Sequence, residues 1–445
     1  MECDWRSVYY RDQTFMLASG MFTLEEFFAQ LYGDTDLKAN PGTGGRLMNN
    51  HFATCSLDAE GKWKDLTKQK NSSADISPTA GQMPRLLGLA LASKLFRNNP
   101  GLKSCSWFSH NGDEVAFGTI GDASTSEGHF FETVNAAGVL QVPMAVSIWD
   151  DGWGISVPKK YQTTKENISE LLKGFEQKKN EPGFLIFCEN GWDYPVLCRM
   201  YEEGISLCRK NHVPVLFHVT GLTQPQGHST SGSHERYKTK KQLDWEKEFD
   251  CIVQLRKWIL ENKIANRGEL DEIEAAAVNK VKTARDKAWN DFQDPIKKER
   301  ELLIQTVKTT HCPCKKQQRI DAIVEDLQKI TEPIRKDIIS SGKKILRDVC
   351  TTCSMKKPMK ADLSAWLEDQ LKLNADRYSS HLYSESSKSA LNVEGVAPEF
   401  REDSRVVTGR EVLQANFDSI FATNPYALIF GEDVGNIGGV NQTLE

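Results

Sequence analysis

An α/β fold, with an open and mostly parallel sheet carrying helices on both faces, is what this sequence predicts, on three observations. Short apolar runs rich in small and β-branched residues recur through residues 1–290. Amphipathic stretches of helical length separate them. Two of the runs end in acidic turns, at the strand ends where open α/β sheets carry ligands.

The runs are VAFGTI (Val115–Ile120), PMAVSIW (Pro143–Trp149), FLIFC (Phe184–Cys188) and VPVLFHVT (Val213–Thr220). Their continuous apolar character suits strands covered on both faces. Gln82–Phe96 and Glu127–Leu140 lie between runs and read as helices. In the second, Phe130, Val134 and Ala137 recur at helical spacing and should face the sheet. Ser124-x-x-Glu127 has the spacing of a capping box at its start. Ala136-Ala137-Gly138 would allow close helix–strand packing.

Residues 235–300 are dense in Lys, Glu, Ala and Arg with helical periodicity, and 300–375 continue in that style. Ser379–Val396 is Ser-rich and reads as a linker. A second α/β beginning follows. Thr408–Phe421 reads as an amphipathic helix, Tyr426–Phe430 as a strand and Gly431–Gly439 as a Gly-rich turn. The expected organisation is a first domain over 1–290, a helical connector and linker over 291–392, and the truncated start of a second domain over 393–445.

Bulk composition narrows the function. The chain has 445 residues, 39% of them apolar, and a net charge of −5, which gives no reason to expect a nucleic-acid partner. No apolar run approaches the roughly 20 residues of a membrane span. The N-terminus lacks the apolar core of a secretory signal. The expectation is a cytoplasmic protein with no membrane partner. Most of the eleven cysteines are scattered, as free thiols in a reducing compartment would be. Cys312-x-Cys314 and Cys350-x-x-Cys353 are paired closely enough to raise zinc, against a one-residue spacer holding Pro313 and a helical setting. Lys238, Lys240 and Lys241 read as a solvated face.

The sharpest motif spans residues 114–156. One run ends in Gly121-Asp122-Ala123, and the next in Asp150-Asp151-Gly152. A diphosphate placed there would meet the N–H groups that open the following helix. A Mg²⁺ ion bridging to it keeps one or two carboxylates plus phosphate oxygens.

This segment, from Gly121-Asp122 to Gly152-Trp153-Gly154-Ile155-Ser156, resembles the thiamine diphosphate motif. More narrowly it is similar to the α subunit of branched-chain and related 2-oxo acid dehydrogenases. The resemblance implies a thiamine diphosphate-binding fold, with Gly121, Asp122, Ala123 and Asp151 at the cofactor. It implies Mg²⁺ held by Asp122, Asp151 and the backbone carbonyl of Trp153. There are departures. Ala123 stands where the family usually has Gly, and Asp150-Asp151 where it usually has Asn-Asn. Trp149 stands where a second Arg often precedes that pair.

Other segments extend the resemblance. Tyr10-Arg11 matches a pair that reaches the diphosphate, and Arg suits it because its planar fork binds phosphate oxygens in pairs. Ser77 and Thr79, in Ile76–Pro84, match cofactor contacts; helix capping is the plainer alternative. His228, in Gly227–Ser231, matches a histidine near the reactive carbon, where an imidazole steers protons. Ser229 follows it where some family members are phosphorylated. His51, in a loop with Gly45-Arg46, is a second catalytic candidate, and Glu189–Asp193 resembles a turn near the cofactor. The tail from Arg410 resembles the opening of the family's β half, whose Glu activates the cofactor.

The implied activity is oxidative decarboxylation of a 2-oxo acid, branched-chain favoured over pyruvate, with acyl transfer to the lipoyl group of a partner acyltransferase. A homodimer of a fused α–β chain is expected, inactive as the present segment alone. A non-catalytic cofactor-binding or assembly protein is the alternative.

Overall fold

The computed structural model describes every residue except 1, 10, 48–49, 225, 227–232, 310–314, 351–352, 355 and 432. Its strands are β1 (Trp5–Arg6), β2 (Asn71–Ser72), β3 (Ala116–Gly121), β4 (Met144–Trp149), β5 (Trp153–Gly154), β6 (Val157–Pro158), β7 (Leu185–Asn190) and β8 (Val215–Thr220). Helices α1 (Gln13–Ala18), α2 (Leu24–Leu31), α3 (Gln82–Asn98), α4 (Gly128–Leu140), α5 (Ile168–Leu171) and α6 (Tyr194–Asn211) are interspersed among them. Then come α7 (Lys240–Glu248), α8 (Cys251–Glu261), α9 (Arg267–Lys308), α10 (Lys315–Lys329), α11 (Arg335–Asp348), α12 (Lys356–Ser379) and α13 (Gly409–Thr423).

Six strands form one sheet in the order β2-β1-β3-β4-β8-β7, every pairing parallel. The four apolar runs supply its long strands, within two residues of the boundaries read from sequence. Alternation sorts their side chains between two faces. Ile120, Met144, Val146 and Ile148 face α3 and α4, against Met83, Leu86, Phe130, Val134 and Ala137. Ala145, Val215, Phe217 and Val219 face α6, against Met200 and Cys208. The close approach of α6 depends on Gly204, where a Cβ would stand 2.5 Å from the Phe217 ring.

The Ser124-x-x-Glu127 capping box does not form. A 3₁₀ turn occupies Ala123–Ser126, and neither it nor α4 has a side-chain cap. Gly121-Asp122 leads straight into that turn, so the Ser124 carbonyl, and not its hydroxyl, meets the Glu127 N–H.

Beyond the sheet, the second half of α9 packs with α10, α11 and α12 around Leu303, Ile320, Leu327, Ile345, Leu363 and Trp366. This bundle has its own core. Tyr32, the residue after α2, ties it to the sheet domain, its ring 4.9 Å from that of Trp289 on α9. Tyr426–Phe430 is not a strand. Among the described residues no strand pairs with it, and Leu428 and Phe430 stay exposed. The α13 helix forms with a Thr408–Glu411 capping box, as its sequence pattern suggests.

Candidate functional site at the carboxyl edge of the sheet

Chain direction sets the site. From β1 the chain passes to β2 on one side, and β3 lies on the other, so strand order reverses between β1 and β3. In open α/β sheets the crevice at such a point takes ligands. Here residues following β1 meet the last residue of β3: the Tyr9 hydroxyl lies 3.6 Å from where a Cβ on Gly121 would stand. Arg11, half-buried, follows on the same segment. Tyr10 lies outside the described residues.

Three strand ends are stitched together there. The Asp122 N–H donates to the Trp149 carbonyl at 3.2 Å, and the Asp150 N–H to the Val219 carbonyl at 2.9 Å. The Leu222 N–H donates to the Asp150 carbonyl at 3.1 Å. Asp122, Asp150 and Asp151 are thereby gathered at one edge. The turn after β4 is closed by Gly152, at φ +79°, a conformation L side chains rarely adopt.

The three carboxylates are in different states. Asp122 is 6% exposed, and its Oδ2 has no hydrogen-bond partner among the described residues. Burial, then the charges of Asp150 and Asp151, push its pKa up to about 8. Asp151 is half-buried and also raised, by burial first, with Asp150 and Glu246 adding; the Trp153 N–H, 3.0 Å away, and Lys238 oppose this. Asp150 is the reverse. Burial raises it, yet His218 and Lys159, each 3.0 Å from Oδ2, outweigh burial and hold it below its usual range. Its Oδ1 accepts the Gly152 N–H at 2.8 Å. The extra charge that Asp brings here, where the resemblance leads one to expect Asn, is thus answered locally.

Two of these carboxylates fit a divalent cation. A buried carboxylate oxygen without a donor is costly unless a cation meets it. Among the described residues no three His, Cys, Asp or Glu side chains form a metal cage. Two carboxylates and a carbonyl are instead the partial shell that Mg²⁺ shares with phosphate oxygens and water. Beside the cluster opens a cleft of about 540 Å³, lined by Asp150, Asp151, Trp153, Lys159 and Lys241 among others.

The remaining candidates fall in several places. Ser77 and Thr79 are exposed, and the His51 ring nitrogen lies 2.6 Å from Ser77 Oγ. Ala80, next in that loop, is buried with φ +60°, a strained conformation for a residue with a side chain. Gly121 and Ala123 flank Asp122. His228 and Ser229, with Cys312 and Cys314, lie outside the described residues; Cys350 and Cys353 are half-buried. Asp193 caps α6 by accepting the Val196 N–H at 3.3 Å. Trp149 packs into the α6 side of the sheet.

Some residues escaped the sequence reading. Lys238 is not on a solvated face. Its side chain is 1% exposed, 2.8 Å from Glu246, with Nζ 5.6 Å from the Trp153 ring centre. Lys240 and Lys241 are exposed. Under the crevice, buried Arg6 pairs with Asp75 at 3.2 Å, while Asp12 accepts the Tyr9 N–H at 3.2 Å and the Thr119 hydroxyl. Burial lifts Asp12 to about 6 and Asp75 to about 7, against the pull of Arg6. His218 had one signal in the sequence, a histidine inside an apolar run.

Comparison with known proteins places the chain in a family. The profile of the family described as "Dehydrogenase E1 component" matches residues 1–297. The chain is 24% identical to a 2-oxoisovalerate dehydrogenase subunit alpha of Bacillus subtilis, over 66% of this chain and 76% of that one. It is 27% identical to a pyruvate dehydrogenase E1 component subunit alpha of Rickettsia bellii, over 50% of this chain and 61% of that one. A mitochondrial 2-oxoisovalerate dehydrogenase subunit alpha 2 of Arabidopsis thaliana is 25% identical over 68% of this chain and 59% of its own length.

Proposed function

We propose, given that this chain belongs to the dehydrogenase E1 component family, that it holds the diphosphate end of thiamine diphosphate and serves oxidative decarboxylation of a 2-oxo acid. One observation carries the reading. Asp122 presents a buried, unpartnered carboxylate oxygen at the end of β3, beside Asp150 and Asp151.

Asp122, Asp151 and the Trp153 carbonyl would hold Mg²⁺, with phosphate oxygens and water completing its shell. When bound, thiamine diphosphate supplies the electron sink for loss of carbon dioxide. The chain's own residues anchor and orient. Arg11, with Tyr10, would grip diphosphate oxygens. Gly121 and Ala123 keep the approach open. Asp150, with its charge answered by Lys159 and His218, fixes the turn that presents Asp151 and Trp153. Ser77 and Thr79 would line the middle of the cofactor, with His51 positioning Ser77. His228 would hold or deliver a proton near the reacting carbon.

Branched-chain 2-oxo acids are favoured over pyruvate, because the segment from Gly121 to Ser156 resembles that branch more closely. The acyl product would pass to the lipoyl group of a partner acyltransferase, and the working protein would be a cytoplasmic homodimer. The test is calorimetric titration of thiamine diphosphate with Mg²⁺ into the protein and into its Asp122→Ala variant. Binding that the variant loses supports the reading; equal binding by both removes Asp122, and the reading with it.

A further inference from the structure

Cys188 differs from the other described thiols. It is exposed on β7, the edge strand of the sheet. Its Sγ lies 3.7 Å from Nδ1 of His218 on the neighbouring β8. His218 is fully buried, and its Nε2 lies 3.0 Å from Asp150 Oδ2. A carboxylate only accepts, so Nε2 carries a proton. Ser169 Oγ is 2.9 Å from the same Nδ1, but its hydroxyl donates to Asn167 Oδ1 at 2.8 Å. That hydroxyl cannot also donate to Nδ1, so Nδ1–H donates to Ser169 Oγ and the ring is an imidazolium; burial lowers its pKa, but Asp150 and Cys188 outweigh burial and raise it.

Nucleophile, imidazolium and orienting carboxylate thus stand in the order that activates a thiol. The electrostatics run the same way. His218, with help from Ser169, holds the Cys188 thiol below its ordinary range, outweighing burial and the charge of Glu189. Burial pushes Cys3 up to about 11 and also raises Cys208 and Cys251.

We propose that Cys188 is a modification site, a thiol activated by His218 and Asp150 that reacts with hydroperoxides. The sulfur attacks one peroxide oxygen, an S–O bond forms and the O–O bond breaks. The sulfur gives up two electrons and becomes a sulfenic acid, and the peroxide is reduced to alcohol or water. The departing oxygen takes the proton of His218 Nδ1–H, so the thiolate, the imidazolium and one hydroperoxide give one sulfenic acid, a neutral imidazole and one alcohol or water. Oxidation replaces the group that faces His218, and His218 holds Asp150, whose other oxygen fixes the Asp150–Trp153 turn. Oxidation would therefore loosen the diphosphate site, a consequence that rests on the function proposed above.

The test uses the full chain with limiting hydrogen peroxide and a 1,3-dione trap for sulfenic acid, read by peptide mass mapping. Cys188 is expected to be trapped about tenfold or more above the exposed Cys55 and Cys198. His218→Gln should bring it down to their level. The comparison among thiols within the parent protein stands even if that variant does not fold. Equal trapping at Cys188 and Cys198 overturns the proposal. In a second arm, peroxide should weaken binding of Mg²⁺ and thiamine diphosphate by the parent and leave Cys188→Ser unaffected; unchanged affinity in the sulfenylated parent overturns the link to the site. An untreated protein that binds no cofactor counts against the proposed function alone, since trapping at Cys188 is read independently.

Discussion

At the scale of single residues, the site is held in a costly state, as functional sites often are. Asp122 is buried and lifted to about 8, so above pH 4 the folded protein keeps a proton that the unfolded chain releases. That lowers stability as pH rises toward 8. Asp122→Asn should therefore stabilise the cation-free protein at pH 7 by on the order of 1–3 kcal/mol in urea unfolding, with the gain fading toward pH 4. The same change should abolish cofactor binding. Destabilisation at pH 7 would show that the carboxylate makes a structural bond instead. Asp12 offers a control away from the acidic edge. Burial lifts it to about 6, so its contribution is present below about pH 4 and lost as pH climbs through 6. Parent and Asp12→Asn should diverge over that window, the variant keeping stability that the parent loses. Parallel pH profiles would contradict the assignment. Asp150 needs no such relief, because Lys159 and His218 already answer its charge.

At the scale of elements, tight contacts locate the vulnerable joints. Gly204→Ala on α6 would drive a methyl into the Phe217 ring and should cost about 1–3 kcal/mol in thermal or urea unfolding. A neutral outcome would mean that α6 can shift away from β8. Arg46 joins the His51 loop to the end of α12. Its Nε donates to the Ser380 carbonyl at 2.8 Å, and Nη2 to Ser380 Oγ at 3.0 Å and to the Asp376 carbonyl at 3.2 Å. A cation there also meets the negative end of the helix. Arg46→Ala should lose on the order of 1 kcal/mol, read as a lower urea midpoint, and Arg46→Lys should not restore it, since the fork makes the contacts. Full rescue by Lys would leave only the charge as the cause. The long strands were legible in the sequence because burial on both faces writes near-continuous apolar runs. β1 and β2 were not: Trp5–Arg6 and Asn71–Ser72 are two residues each and carry no period. Tyr426–Phe430 has strand composition without a pairing partner, and composition does not report partners.

At the scale of the whole molecule, the bundle of α9 to α12 has its own core and meets the sheet domain through α2 and Arg46. The family profile ends at residue 297, inside α9, so most of the bundle lies beyond it. The candidate site was partly legible for a related reason. Asp122 and Asp151 follow apolar runs directly, so their place at strand ends could be read from local sequence. His218 and Asp150 converge only because β4 and β8 are neighbours, Lys159 returns to Asp150 through the β5–β6 hairpin, and the Arg6–Asp75 pair joins residues on either side of α1 and α2. Such pairings belong to the sheet order. The central claim is that Asp122, Asp151 and the Trp153 carbonyl hold a divalent cation that carries a diphosphate. Anomalous X-ray scattering from crystals of the protein grown with thiamine diphosphate and Mn²⁺ in place of Mg²⁺ tests it most directly. The expected result is one Mn²⁺ peak roughly 2.0–2.3 Å from an oxygen of each of those three residues, with diphosphate oxygens completing the shell. Diphosphate bound elsewhere, or a metal bound without Asp122, would contradict it.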